Sequence, residues 1–189
     1  MCLWKMRAVL YAIIFFVIPA VALAQQQAFT SDVPGKSGAW WLYTKYHPFG
    51  TDVRGIPVAK IRSGWCKATE FRKELFPAEY REDIEEPGSS FAIDGTFDGS
   101  KLKQTALTGV YETCAGEHGA FFLLLAWPKG KPPIIRLVRE MPGDVVFTIL
   151  SAPDTSTIKM RYCLQCDHLD RWKWNRKKKR FVMLPSDEY

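Results

Sequence analysis

The sequence predicts a mainly β (α+β) fold: an antiparallel meander forming a sandwich or partial barrel, with one helical hairpin at about 69–86. Three observations predict it. From Phe91 to Trp127 a Gly/Asp loop, a strand, a tight turn and an apolar run follow one another. Short strand-like segments separated by turn residues then recur to the C-terminus, the pattern of a sheet built from neighbouring hairpins. Only Thr69–Glu86 carries an apolar stripe at helical spacing.

The chain starts with a segment that reads as an export signal. Lys5 and Arg7 precede an apolar stretch over Ala8–Ile18, Pro19 breaks it, and Ala22-Leu23-Ala24 is a small-x-small cleavage site. Cleavage there leaves 165 residues beginning at Gln25, with no stable membrane span, and places the chain in a periplasm or outside the cell. The whole chain has 26 basic and 20 acidic residues; loss of Lys5 and Arg7 lowers its net charge from +6 to +4. That excess is too small to point to nucleic acid. Cys2 leaves with the signal, and Cys66, Cys114, Cys163 and Cys166 remain. An even count in an oxidising compartment favours disulfides, with Cys66–Cys114 and Cys163–Cys166 the preferred pairing among three possible ones.

Gln25–Gly38 is polar and lacks an apolar period, so a mobile arm is expected ahead of a single domain over 39–189. Ala39–Tyr46 gathers Trp40, Trp41, Tyr43 and Tyr46, as an edge strand or a packed aromatic cap; Trp40 and Trp41 are also candidates for an aromatic binding platform. Ile56–Arg62 alternates apolar and basic residues and reads as a strand. In Thr69–Glu86, Phe71, Leu75 and Phe76 form one stripe, Pro77 restarts the turn, and Tyr80 and Ile84 continue on the same spacing. Glu79, Glu82, Asp83, Glu85 and Glu86 make a solvated face, and Pro87-Gly88 ends it.

Gln104–Glu112 is enriched in β-branched and aromatic residues as a half-buried strand, Ala115–Gly119 turns, and Phe121–Ala126 is too short and apolar for a free helix. Further strands are expected at Ile134–Glu140, Val145–Leu150, Ser156–Leu164, Leu169–Trp174 and Arg180–Leu184.

Gly95-Thr96-Phe97-Asp98-Gly99, followed by Thr105-Ala106-Leu107-Thr108-Gly109-Val110, resembles an FG-GAP-type repeat. In that family, found in β-propellers of secreted and cell-surface proteins, a loop of alternating Asp/Asn residues between two strands binds calcium. The resemblance covers one repeat. Thr96, Ser100 and Gln104 stand where the family places ligands, which leaves Asp98 and Asp94, too few for an ion that takes six to eight oxygens. It therefore implies a strand–loop–strand shape without its ion, and the single copy does not imply a propeller. No cofactor or metal is expected.

Four constellations carry residues capable of chemistry or binding. Cys163-Leu164-Gln165-Cys166 has redox spacing, but Asp167–Trp172 does not read as the helix that activates such a thiol, so a structural disulfide is preferred over a thiol–disulfide site or a zinc site with His168. Asp94, Glu117 and His118 would serve a small hydrolase if one cleft collected them. His47 and His168 read as solvated. Arg171–Arg180 (RWKWNRKKKR) sets Trp172 and Trp174 beside Arg176, Lys177, Lys178, Lys179 and Arg180. Its plain reading is a hairpin with an exposed basic turn. Its functional reading is a site for an anionic surface, a glycan or an acidic protein. The sequence thus predicts an exported, non-enzymatic binding or envelope-associated module, with a hydrolase or a thiol–disulfide protein as alternatives.

Overall fold

The computed structural model describes residues 29–31, 39–84, 88–144, 147–164 and 169–184. The signal segment, Glu85–Pro87, Cys166 and His168 lie outside them. In chain order the described elements are β1 (Phe29–Ser31), β2 (Thr44–Tyr46), β3 (Asp52–Val53), β4 (Ile56–Pro57), α1 (Val58–Ile61), β5 (Trp65–Glu70) and α2 (Arg81–Ile84). These are followed by β6 (Ser89–Ser90), β7 (Ala92–Gly95), β8 (Lys103–Thr113), β9 (His118–Trp127) and β10 (Ile134–Pro142). The last four are β11 (Ile149–Ser151), β12 (Thr157–Arg161), β13 (Leu169–Asn175) and β14 (Arg180–Leu184).

Two antiparallel five-stranded sheets face each other and do not close into a barrel. The first runs β10-β9-β8-β5, with β7 beside the first half of β8 and β5 beside the second. The second runs β14-β13-β12-β11-β6. The β8–β9 hairpin is the centre, and strand alternation explains its apolar run. Phe122 and Leu124 point between the sheets, against Leu150, Ile158, Met160, Trp172 and Phe181. Phe121, Leu123 and Leu125 point the other way, against an outer layer made by β3, β4 and α1. With both faces covered, a continuous apolar strand is what the chain needs.

Gly109 on β8 shows how closely β5 approaches, because a Cβ there would lie 2.3 Å from the carbonyl oxygen of Thr69. The Cys66–Cys114 disulfide then ties β5 to the β8–β9 turn, at a Cα separation of 5.0 Å. This is the preferred pair. Cys163 is disulfide-bonded too, while its expected partner Cys166 lies outside the described residues.

An aromatic cluster continues the core beyond Val110, Phe147 and Ile149. Trp40 stacks on Tyr80 at 4.6 Å and donates its indole N–H to Asp83 at 3.0 Å. The expected stripe enters this cluster, since Phe71, Phe76, Tyr80 and Ile84 are all buried. Its helical structure is short: 3-10 turns at Lys73–Leu75 and Ala78–Tyr80, then the single turn α2. Pro77, with ψ 143°, separates the two 3-10 turns, and Thr69 belongs to β5.

Two local expectations are corrected, and one strand was not foreseen. Within the predicted mobile arm, Phe29–Ser31 pairs with β2, and Phe29 is fully buried among Tyr46, Phe71 and Phe76. Ile56–Arg62 holds only two strand residues before α1, because Val58 and Ile61 meet the first sheet at i, i+3 spacing. β5 itself was not expected, as Trp65–Glu70 buries only Trp65, Ala68 and Thr69 and so shows no period of two.

Candidate functional site

The basic hairpin is what the sequence singles out, and its surroundings organise the end of the sandwich. β13 and β14 pair from Arg171–Leu184 to Asn175–Arg180, which leaves Arg176–Lys179 as a four-residue turn. Asn175 accepts the backbone N–H of Lys178 on its side-chain oxygen at 2.9 Å, closing the turn, and Lys179 takes the left-handed conformation at φ 48°. Beneath the turn Phe181 is buried and packs on Trp174 at 5.1 Å, and Trp172 is buried against Phe122. Arg176, Lys177, Lys178, Lys179 and Arg180 are all exposed, and none enters an ion pair among the described residues.

Arg136 fixes this hairpin to the first sheet. Pairing between β10 and β9 steps from Ile135–Leu125 to Leu137–Leu124, so Arg136 is the extra residue of a β-bulge. A bulge re-aims its side chain. Here the guanidinium meets the Asp98 carboxylate at 2.9 Å and lies 5.0 Å from the centre of the Trp174 ring. Asp98 is nearly inaccessible, at 3% side-chain exposure. Burial pushes its carboxyl up, but the N–H of Ser100, the Gln104 contact and the Arg136 charge together hold it below the usual carboxylate range. Gln104, fully buried on β8, accepts the Asp98 N–H and anchors the 96–102 loop. A Cβ added to Gly99 would come within 3.9 Å of the Arg176 guanidinium, which brings that loop against the hairpin.

Asp94 is engaged as well, by Lys103 at 2.8 Å and by the Thr105 hydroxyl at 2.6 Å. Both carboxylates of the Gly/Asp loop are therefore matched by cations of the chain itself. Among the described residues no group of three or more His, Cys, Asp or Glu side chains gathers as a metal site.

The other sequence candidates are placed elsewhere. Trp40 and Trp41 are core, at 1% and 8% exposure, and this corrects the platform expectation: indole rings are worth more in a packed aromatic cluster than in water. Asp94 lies opposite Thr105 and His118 opposite Glu112, seven positions along β8 and so about 24 Å away at strand rise. Glu117 sits in the turn beside His118, so no cleft collects the three proposed hydrolase residues. Cys163 lies in a bend after β12, and residues 162–164 are not helical.

A separate open depression of about 450 Å³ lies between the β3–β4 turn and β5, lined by Phe49, Asp52, Arg54, Thr69, Glu70 and Arg72. Its charges are largely internal. Arg54 and Glu70 form a two-bond ion pair, and Asp52 accepts the Gly55 N–H at 3.0 Å. Arg54 and Gly55 both have positive φ, at 53° and 76°, as a two-residue hairpin turn of this hand requires.

The molecule is thus a two-sheet antiparallel sandwich whose one end is an ordered, cation-bearing hairpin. No protein-family model, curated protein or solved structure matches the chain.

Proposed function

We propose that this chain is an exported, non-enzymatic binding module that adheres to an anionic partner through its basic hairpin. The observation that carries the reading is the Arg176–Arg180 run, the turn and the first residue of β14: five consecutive cations, all exposed, without ion pairs among the described residues. The turn stands on a fixed base formed by Trp174, Phe181 and Arg136. A turn whose backbone is closed before binding, as here by Asn175, loses less conformational freedom on meeting an anion. Export is supported by the Met1–Ala24 segment and by the exposed Cys66–Cys114 disulfide, a bond that persists in oxidising compartments. The distance from Asp94 to Glu117 and His118 leaves the hydrolase alternative without a catalytic cluster.

The test is elution from an immobilised linear polyanion, heparin, against an uncharged matrix. The intact chain should be retained and released by salt, because exposed charges are screened within about 10 Å at 0.1 M ionic strength. Replacing Lys177, Lys178 and Lys179 with Ser should lower the eluting salt concentration. Equal retention of the variant and the intact chain would overturn the proposal.

A further inference from the structure

We infer that the anion site is a composite of three loops at one end of the sandwich, and that it fits a flexible, repeatedly charged polyanionic chain; the inference rests on the binding role proposed for the hairpin. Strand register places the loops together. β7 and β8 enclose residues 96–102, which carry Lys101; β9 and β10 enclose residues 128–133, which carry Lys129 and Lys131. Lys103 pairs with Trp127, so these two loops leave the first sheet at the same end. Arg136, holding Asp98 on one side and Trp174 on the other, joins that end to the hairpin, and the Gly99–Arg176 approach repeats the connection.

Lys101, Lys129 and Lys131 are exposed and, like the five hairpin cations, free of ion pairs among the described residues. The acidic groups nearby do not offset them. Asp94 and Asp98 are already matched by Lys103 and Arg136. Asp154, on the loop between β11 and β12, keeps its charge while accepting the N–H and hydroxyl of Ser156, and sets one exposed carboxylate against the eight cations.

Spacing and chemistry select the partner. Loops from two sheets about 10 Å apart, and from strands spaced about 4.8 Å, spread the charge over roughly 15–20 Å. That is longer than a single phosphate or carboxylate and suits groups repeated along a chain. Most of these cations are Lys, a hydrated point charge rather than the planar fork that recognises one fixed anion. A bilayer-binding surface presents Trp, Phe or Leu for insertion. Among the described residues, Ile134 alone of the exposed large apolar side chains adjoins these loops.

The test compares three Lys/Arg-to-Ser triples of equal charge change: Lys101/Lys129/Lys131, Lys177/Lys178/Lys179, and a control set Lys60/Lys67/Arg72 on β5, α1 and their surroundings. Affinity is measured for heparin and for phosphatidylglycerol vesicles at about 0.1 M salt. The first two triples should each weaken heparin binding roughly tenfold or more and reduce its salt dependence, as released counterions require, with the control triple near the intact chain. If only the hairpin triple weakens binding, the composite site is overturned while the hairpin role stands. If neither does, both fall. Vesicle binding tighter than heparin binding and lost in the first triple would overturn the polyanionic chain in favour of a membrane surface.

Discussion

Asp98 and Trp172 are the residues whose loss should be felt most at the basic end. Asp98 combines near-complete burial with a paired guanidinium, so its removal leaves Arg136 facing the Trp174 ring alone. Asp98→Ala should cost about 1.5–3 kcal/mol, the range for hydrogen bonds to charged groups, measurable by urea denaturation. The sign of its pH dependence follows from its depressed pKa. Between the folded value and the ordinary value near 4, the unfolded chain binds more protons, so stability rises with pH. The contribution is fully present above the ordinary value and is lost as pH falls through the folded one. The gap in stability between the intact chain and Asp98→Asn should therefore narrow from pH 7 to about pH 2; a gap independent of pH would contradict the pairing. Trp172→Ala removes a buried indole packed on Phe122 and should cost about 3–5 kcal/mol. A silent Trp172→Ala would contradict its place in the core.

Among the elements, the β13–β14 hairpin separates display from support. Its turn should tolerate change: the Lys177/Lys178/Lys179→Ser triple should move the melting temperature little, because exposed charges contribute about 0–1 kcal/mol. Lys179, at φ 48°, should accept Gly with unchanged or slightly higher stability, since Gly carries no Cβ penalty in the left-handed region. A loss above about 1 kcal/mol on Lys179→Gly would mean that the turn has another conformation. This hairpin was legible in the sequence because Trp172 and Trp174 share one face and a cationic stretch interrupts the two apolar strands. The β8–β9 hairpin was legible for the same reason, an apolar run bounded by turn residues. The bulge at Arg136 was not, since a single extra residue leaves no compositional trace. β5 was hidden because its burial follows partners on two sides rather than a period of two. The Phe71–Ile84 stripe marked burial correctly but overstated helix length, because Pro77 and tertiary packing leave it only isolated turns. Phe29 was lost in polar surroundings, where one aromatic residue carries no periodic signal.

For the whole molecule, the disulfide and the charged end bear on where the chain works and on what. Cys66–Cys114 closes a separation of 48 residues, and its loss should destabilise the protein by about 2–4 kcal/mol. Comparing melting of the intact chain with Cys66→Ser/Cys114→Ser checks this, and an unchanged melting temperature would contradict a stabilising link. Intact mass of exported material should correspond to a chain beginning at Gln25; a retained Met1 would contradict cleavage after Ala24. The central claim is that one end of the sandwich is an anion-binding surface. Its most direct measurement is hydrogen–deuterium exchange of the intact chain with and without heparin. Protection should gather in the 96–102 and 128–133 loops and the Asn175–Arg180 turn, and fade as salt rises. Protection centred on the Phe49–Arg72 depression, or none anywhere, would contradict it.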